Sequence, residues 1–514
     1  TFLDKAIQLF KEETEYEYRH KIIINDDVKK YAEKLYPAFL ALKDYSIHCN
    51  HIAQEVIESE TDSDSTEQTD LEVLFTRLNT GGTTITRDDL NYSAIKAYWP
   101  SIKDKNDSLA EKYMNPSKLA MLAFRLALTK ADDKSLKNEL SIKQIRSYAK
   151  SSEKDDIETI YSKLESILIQ VDNWLGVQQD SESKHTPPIL RTTIARNSPE
   201  VYLLLMYFAL RNMQSPIELD SCEIRALGFL LHWFSTSKDK KKCVQEIFTR
   251  CKDSINRTNV LMGISHLMHD CQLLHIYTPD EISGFIKIDD SPDWRAWNGI
   301  PAGGREFFDR IFWYRDNYSE ACEMLLYAER RYINLNFSNY DPARQDMWAE
   351  YTRPWDFDHI IARNRIVGSR GDYREYNKSM LNSIGNIAAI SFEANRSKSD
   401  RVDYQEYTHE DLYYNPEIES LSYDFSKDGK SSFRFAEITF KRFCDIYANV
   451  YELIRPLTEE VILSTTLKER KILFEEVAKS YPDAIFHFAA SDNNDHILVR
   501  EKDWTREWMG VGIE

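Results

Sequence analysis

The sequence contains few cysteines, and none of them form a close pair. Seven cysteines are scattered over 514 residues, and no CxxC motif is present. An odd, scattered set is typical of reduced thiols, so we expect no disulfide framework and predict a cytoplasmic protein. A zinc cluster of Cys243, Cys251, His266, His269 and Cys271 is the alternative. Helical core spacing explains these residues equally well, and we interpret them as core.

Long apolar runs are also missing. The sequence has no run of the about 18 apolar residues that a membrane-spanning helix requires, so we predict no membrane contact. The most apolar stretch, residues 201–210, ends at Arg211. Ser198 and Pro199 precede it, and they predict the N-cap and first position of a buried helix. No signal peptide is visible.

Positively charged residues are fewer than negatively charged ones. Lys and Arg number 66 against 84 Asp and Glu, for a net charge of −18. This excludes a surface that is basic overall, so we expect any DNA contact to be confined to a patch and to be salt-sensitive. Residues 359–401 hold eight Arg or Lys and four Asp or Glu, and are therefore locally basic.

Hydrophobic spacing predicts a mainly α protein with small α+β parts. The length is typical of about three structural units. Apolar residues recur at helical spacing through most of the chain up to residue 335. The clearest predicted helices are residues 119–128, 157–175, 224–234, 307–327 and 435–454. Short strands are predicted from residue 355, and a hairpin is predicted within residues 484–499.

One segment carries residues suited to phosphodiester hydrolysis. Residues 355–361 predict a strand that contains Asp358 and His359. Residues 383–390 predict a second strand, which carries Asn386. Ser391 is then placed to cap a helix that contains Asn395. Strand, loop, strand and helix is the order of a ββα-metal fold.

The residue types in this segment predict specific roles. His359 is the candidate general base, because an imidazole with a pKa near its ordinary value accepts a proton at neutral pH. Asp358 and Asn395 offer oxygen ligands for one Mg²⁺ or Mn²⁺ ion. Asn386 is assigned to the catalytic group as the residue that holds the loop aiming the histidine. Phosphate or DNA binding is assigned to the neighbouring basic residues Arg363, Arg365, Arg396 and Lys398.

The segment resembles HNH nucleases. The spacing from Asn386 to Asn395 is similar to that in the HNH domains of CRISPR RNA-guided nucleases. The resemblance implies that Asp358 and Asn395 bind the metal, that His359 is the base, and that Asn386 is the middle asparagine of the motif. The arginine-rich loop before Asn386 is similar to the nuclease half of GmrSD-type restriction enzymes.

A second resemblance lies upstream. Residues 74–90 are similar to the second signature of the GmrS-type, ParB-like N-terminal domain, which implies nucleotide binding by Arg77, Asn79, Gly81 and Gly82. From the residues alone, a helix ending in Asn-Thr-Gly-Gly is equally an ordinary C-cap. The first signature, Asp-Gly-Gln-Gln-Arg, is absent from this chain. We expect it to precede Thr1 or to be lost, so NTP hydrolysis is left unassigned.

The resemblances imply a domain order and a function. The expected order is a partial ParB-like domain (1–100), a helical domain (101–335), an HNH nuclease domain (336–415) and a C-terminal helix and hairpin region (416–514). The expected function is a metal-dependent DNA endonuclease in restriction or phage defence that senses modified DNA and is regulated by NTP. Double-stranded DNA, a second copy of the chain and defence-system subunits are the expected partners. The alternative is a regulatory module that binds nucleotide or modified DNA and keeps the HNH fold as a scaffold.

Overall fold

A computed structural model of the protein describes most of the chain between residues 86 and 500. The chain divides into two compact units, Thr1–Ile85 and Thr86–Glu514, and every described residue lies in the second. The described ranges are 86–130, 132–178, 185–235, 240–270, 272–274, 276–286, 305–314, 319–338, 354–367, 374–398, 412–413, 415–421, 429–459, 486–490 and 496–500. The predicted nucleotide residues Arg77, Asn79, Gly81 and Gly82 lie outside them.

The first part of this unit is helical. Its helices α1 to α7 are Arg87–Tyr98, Pro100–Tyr113, Pro116–Leu128, Ile142–Tyr148, Glu153–Leu175, Pro188–Asn197 and Pro199–Asn212. Helices α8 to α14 are Ser221–Phe234, Lys240–Cys251, Arg257–His269, Pro279–Ser283, Arg305–Phe312, Glu320–Ala328 and Arg330–Asn336. The prediction of a mainly α protein is confirmed.

Helices α3, α7 and α8 belong to the core. Most of their residues are buried, as expected for helices that are apolar on all sides. Ser198 and Pro199 begin α7, as predicted, but the Ser198 hydroxyl lies 2.7 Å from His232 Nδ1 and does not cap a helix amide. Cys243, Cys251 and His266, which we interpreted as core, are buried.

The predicted single helix over residues 307–327 is wrong. The structure has two helices there, α12 and α13, with an extended segment after α12. Trp313 forms an antiparallel bridge with Ser383, and the Tyr314 amide donates a 2.8 Å hydrogen bond to the Asn382 carbonyl. Pairing with residues 382 and 383 therefore ends α12 and places Tyr314 next to that segment.

A small hairpin and a helix follow. Strand β1 is Trp355–His359, helices α15 and α16 are Arg363–Val367 and Arg374–Leu381, strand β2 is Ile387–Ser391 and helix α17 is Phe392–Lys398. The strands are antiparallel, with His359 opposite Ile387 and Trp355 opposite Ser391. Residues at alternate positions of β1, Trp355 and Phe357, are buried in the core.

Asn386 does not lie on the second strand as predicted. It ends a 3₁₀ turn, Ile384–Asn386, directly before β2. The turn packs on α18, Gly429–Glu459, which is longer than the predicted residues 435–454 and also contacts α8 and α13. Strands β3 (Phe486–Ala490) and β4 (His496–Arg500) form the predicted antiparallel hairpin.

No helix in the described ranges has both the length and the apolar character that crossing a bilayer requires.

Candidate functional site

His359 is the last residue of β1, on the same side of the strand as Phe357. The ring of Tyr314 meets the imidazole edge-on, with ring centres 5.8 Å apart and an interplanar angle of 89°. This contact fixes one side of the imidazole. His359 Nε2 is buried and has no hydrogen-bond partner among the described residues. A buried ring nitrogen without a partner is suited to accept a proton from a bound molecule.

Burial lowers the pKa of His359 below its ordinary value. The Asp358 carboxylate and a side-chain hydrogen bond with Asn382 raise the same pKa, while the positive charges of Lys398 and Arg363 lower it. Burial has the largest effect. The neutral imidazole is therefore favoured at neutral pH, and this is the form that a general base needs.

Asn386 holds the backbone that follows His359. Its Oδ1 accepts a 2.9 Å hydrogen bond from the Ile361 amide, and its Nδ2 donates to the carbonyls of Ile361 at 3.2 Å and Leu381 at 3.1 Å. Its own carbonyl accepts from the Ile360 amide at 2.8 Å. The side chain is buried, so Asn386 positions the loop and does not itself reach the site where bonds would change.

Helix α17 faces the acidic side of β1. Asp356 and Asp358 alternate with the core residues of that strand, so they share its other face. Asn395 Nδ2 donates a 3.1 Å hydrogen bond to Asp356 Oδ2. The Ser391 hydroxyl accepts from the Ala394 amide at 3.1 Å and caps α17, as predicted.

Lys398 pairs with the candidate metal ligand. Its Nζ donates to Asp358 Oδ2 at 2.5 Å and also to the carbonyl of His359. The Lys398 side chain is 0% exposed. The sequence assigned Lys398 to a phosphate contact, but in the structure its ammonium is buried against Asp358 and is not presented to a ligand.

The other basic residues assigned to DNA lie around this hairpin. Arg363 begins α15 and is exposed, and its charge reaches His359. Arg365 lies on the same short helix. Arg396 is exposed on α17. Arg363 and Arg396 are thus both exposed to solvent, on the short helices that follow β1 and β2.

Two residues that sequence reasoning missed fix the hairpin to the core. Arg442 on α18 donates hydrogen bonds to the carbonyls of Ile384 (3.2 Å), Gly385 (3.1 Å), Ile387 (2.6 Å) and Leu412 (2.8 Å). Glu329 accepts from the Ala389 amide of β2 at 3.0 Å and from Arg442 at 2.8 Å. One feature of the sequence indicates a buried role for Arg442. It is a charged residue within an apolar helical stripe, between Phe440 and Phe443.

No protein-family model, curated protein or solved structure matches this chain.

The side chains of this site have the kind of ligand atom that hard cations bind. Asp356, Asp358 and Asn395 offer carboxylate and amide oxygens, which Mg²⁺ and Mn²⁺ prefer, and such ions often take only one or two protein carboxylates. Within the described ranges no group of three or more His, Cys, Asp or Glu side chains is arranged to hold a metal. An ion here would therefore depend on Asp358 and Asn395, and the Asp358 carboxylate is paired with Lys398.

Proposed function

We propose that this chain is a metal-dependent, HNH-type DNA endonuclease. The observation that carries the proposal is the pair of hydrogen bonds between the Asn386 side chain and the backbone of Ile361, two residues after His359. These bonds hold a partly buried, neutral imidazole at the end of a two-stranded hairpin. The same hairpin continues into α17, which brings Asn395 and Lys398 to the acidic face of β1.

The residues divide the proposed chemistry between them. Asp358 and Asn395 would hold one Mg²⁺ or Mn²⁺, which supplies Lewis-acid stabilisation of charge on the scissile phosphate. His359 Nε2 takes the proton of a water whose oxygen forms the new bond to phosphorus, while the phosphorus bond to the leaving oxygen breaks. Arg363 and Arg396 offer exposed positive charge to the DNA backbone.

The biological setting rests on the resemblances. We propose restriction or phage defence, acting on double-stranded and modified DNA, with NTP as a regulator. Binding of NTP by Arg77, Asn79, Gly81 and Gly82 stays a prediction, and these residues lie outside the described ranges. Calorimetric titration of nucleotide into wild type and Gly81→Val tests it. If a phosphate or ribose approaches the backbone at this glycine, the added side chain should block binding.

Nicking of a supercoiled plasmid, with Mg²⁺ or Mn²⁺ and with EDTA, tests the nuclease. We expect metal-dependent cleavage that EDTA abolishes. His359→Ala should reduce the rate by roughly 10²- to 10⁴-fold, the usual contribution of a positioned base. His185→Ala is the matched control, because this histidine is exposed and distant in sequence. Near wild-type nicking by His359→Ala would remove His359 from the mechanism.

A second candidate is a binding module that keeps the HNH fold as scaffold. The pairing of Asp358 with a buried lysine favours it, because that pairing neutralises the candidate ligand. A module of this kind would bind modified DNA or nucleotide and would show no cleavage at any Mg²⁺ or Mn²⁺ concentration. The plasmid assay, run together with DNA-binding measurements on the same samples, separates the two functions.

A further inference from the structure

Lys398 occupies a position that the proposed cleavage chemistry does not use. It is the last residue of α17, and its side chain is 0% exposed. Its ammonium bonds Asp358 Oδ2 at 2.5 Å and the His359 carbonyl. Lysine is almost never fully buried unless its charge is paired. The Asp358 carboxylate, 13% exposed, is the partner that allows this burial.

The same carboxylate is the one that a divalent cation would need. An ammonium and a metal ion on one carboxylate lie close together, and two positive charges at that separation repel strongly away from bulk water. The pairing of Lys398 with Asp358 and the binding of a metal by Asp358 therefore compete.

We propose that Lys398 is a built-in counter-cation that holds Asp358 while no metal is bound, and that a divalent cation binds by displacing it. This inference rests on the proposed metal-dependent function. It gives Lys398 two states. In the first, the ammonium is buried against Asp358 and keeps β1 joined to α17. In the second, the side chain is released at the end of α17 and is available to an anion such as a phosphate of the DNA backbone.

Competition predicts a specific effect on metal affinity. Lys398→Gln removes the positive charge and keeps a hydrogen-bond donor. We expect it to bind Mn²⁺ more tightly than wild type, on the order of tenfold. The loss of the free-Mn²⁺ electron paramagnetic resonance signal during titration measures the dissociation constant without requiring cleavage. Lys163→Gln, an exposed lysine on α5, is the charge-matched control and should leave the dissociation constant unchanged.

A double variant tests whether Lys398 affects Mn²⁺ affinity through Asp358. In Asp358→Asn with Lys398→Gln, the gain in Mn²⁺ affinity should disappear, because the shared carboxylate is gone. Equal or weaker Mn²⁺ binding by Lys398→Gln, in a protein whose circular dichroism matches wild type, overturns the proposal.

A measurement on the wild-type chain does not depend on any variant folding. An amine-reactive acetylating reagent, followed by mass spectrometry, reports which lysines are accessible. We expect Lys398 to be protected without metal and acetylated at saturating Mn²⁺, while Lys163 is acetylated in both samples. Unchanged protection of Lys398 in Mn²⁺-bound protein would refute the displacement.

The outcomes also separate this inference from the proposed function. If wild type binds Mn²⁺ and cleaves DNA but Lys398 neither competes nor becomes accessible, only the counter-cation proposal fails. If neither wild type nor Lys398→Gln binds Mn²⁺ and neither cleaves DNA, the metal-dependent nuclease proposal fails with it.

Discussion

Arg442 and Glu329 form a buried pair beneath the candidate site, with the Arg442 guanidinium 2.8 Å from Glu329 Oε1. Their side chains are 3% and 0% exposed. Arg442 bonds the carbonyls on both sides of Asn386, and Glu329 bonds the amide of Ala389 on β2. The pair therefore connects α18 and the start of α14 to the turn and strand that position His359.

Removing Arg442 should destabilise the unit. Arg442→Met keeps much of the apolar volume but leaves several buried carbonyls and Glu329 without this partner. We expect the free energy of unfolding to fall by several kcal/mol, at roughly 1–3 kcal/mol for each buried acceptor left without its donor. Urea denaturation measures it. Lys441→Met, an exposed neighbour on the same helix, should change it by no more than about 0.5 kcal/mol. Equal effects of the two changes would contradict the assigned role.

The pH dependence of stability should report Glu329. Burial raises the pKa of Glu329 from 4.5 to about 8, although Arg442 and the Ala389 amide lower it. The folded protein therefore holds a proton that the unfolded chain releases. The resulting stabilisation is complete below about pH 4.5 and is lost as the pH rises towards 8. We expect wild type to lose stability relative to Glu329→Gln between pH 5 and 8, because glutamine does not titrate. Urea denaturation of both proteins at each pH is the measurement. Wild-type stability that stays constant or rises relative to Glu329→Gln over this range would contradict the prediction.

Gly385 should not tolerate a side chain. A Cβ at this position would overlap the carbonyl oxygen of Thr439 on α18, which is backbone and cannot move aside easily. We expect Gly385→Ala to lower the free energy of unfolding by roughly 1–3 kcal/mol, as overpacking does. Gly284→Ala is the control, since its Cβ would lie 3.4 Å from its nearest neighbour. Thermal denaturation of both variants is the measurement, and a Gly385→Ala protein as stable as Gly284→Ala would contradict the close approach.

Asn386 should affect cleavage through the loop that it holds. Asn386→Ala leaves the amide and carbonyl of Ile361 without their partner, at roughly 1–3 kcal/mol for each buried group left unpaired. We expect lower stability together with plasmid nicking reduced well beyond what the unfolded fraction explains. Asn364→Ala, an exposed asparagine on α15, should match wild type in both assays. Normal nicking by Asn386→Ala would mean that the loop does not require this side chain.

The proposed metal ligands should respond to cation concentration. Asp358→Asn or Asn395→Ala should lose cleavage with Mg²⁺, and excess Mn²⁺ should restore part of it, because weaker binding is offset by mass action. The rate of plasmid nicking is measured as a function of cation concentration for each variant. Titration curves that superimpose on wild type for both variants would remove these residues from the metal site.

The sequence alone predicted the local elements of the candidate site. Alternating residues predicted β1, and Ser391 predicted the start of the helix that carries Asn395, because strand periodicity and helix capping depend on neighbours within a few positions. The chemical types of Asp358, His359 and Asn395 likewise predicted a candidate base and candidate metal ligands. Their roles in cleavage stay predictions.

Only the tertiary structure decided which partners those residues have. Lys398 was assigned to phosphate from its position in sequence, but α17 folds back onto β1 and buries its ammonium against Asp358, 40 residues away. Glu329 and Arg442 are 113 residues apart and meet only because α18 packs against α13 and against the 3₁₀ turn before β2. Periodicity within one element indicates which face is buried but not which distant element covers it. Burial by a distant element sets the exposure, pairing and pKa of a charged side chain, and so decides its chemistry.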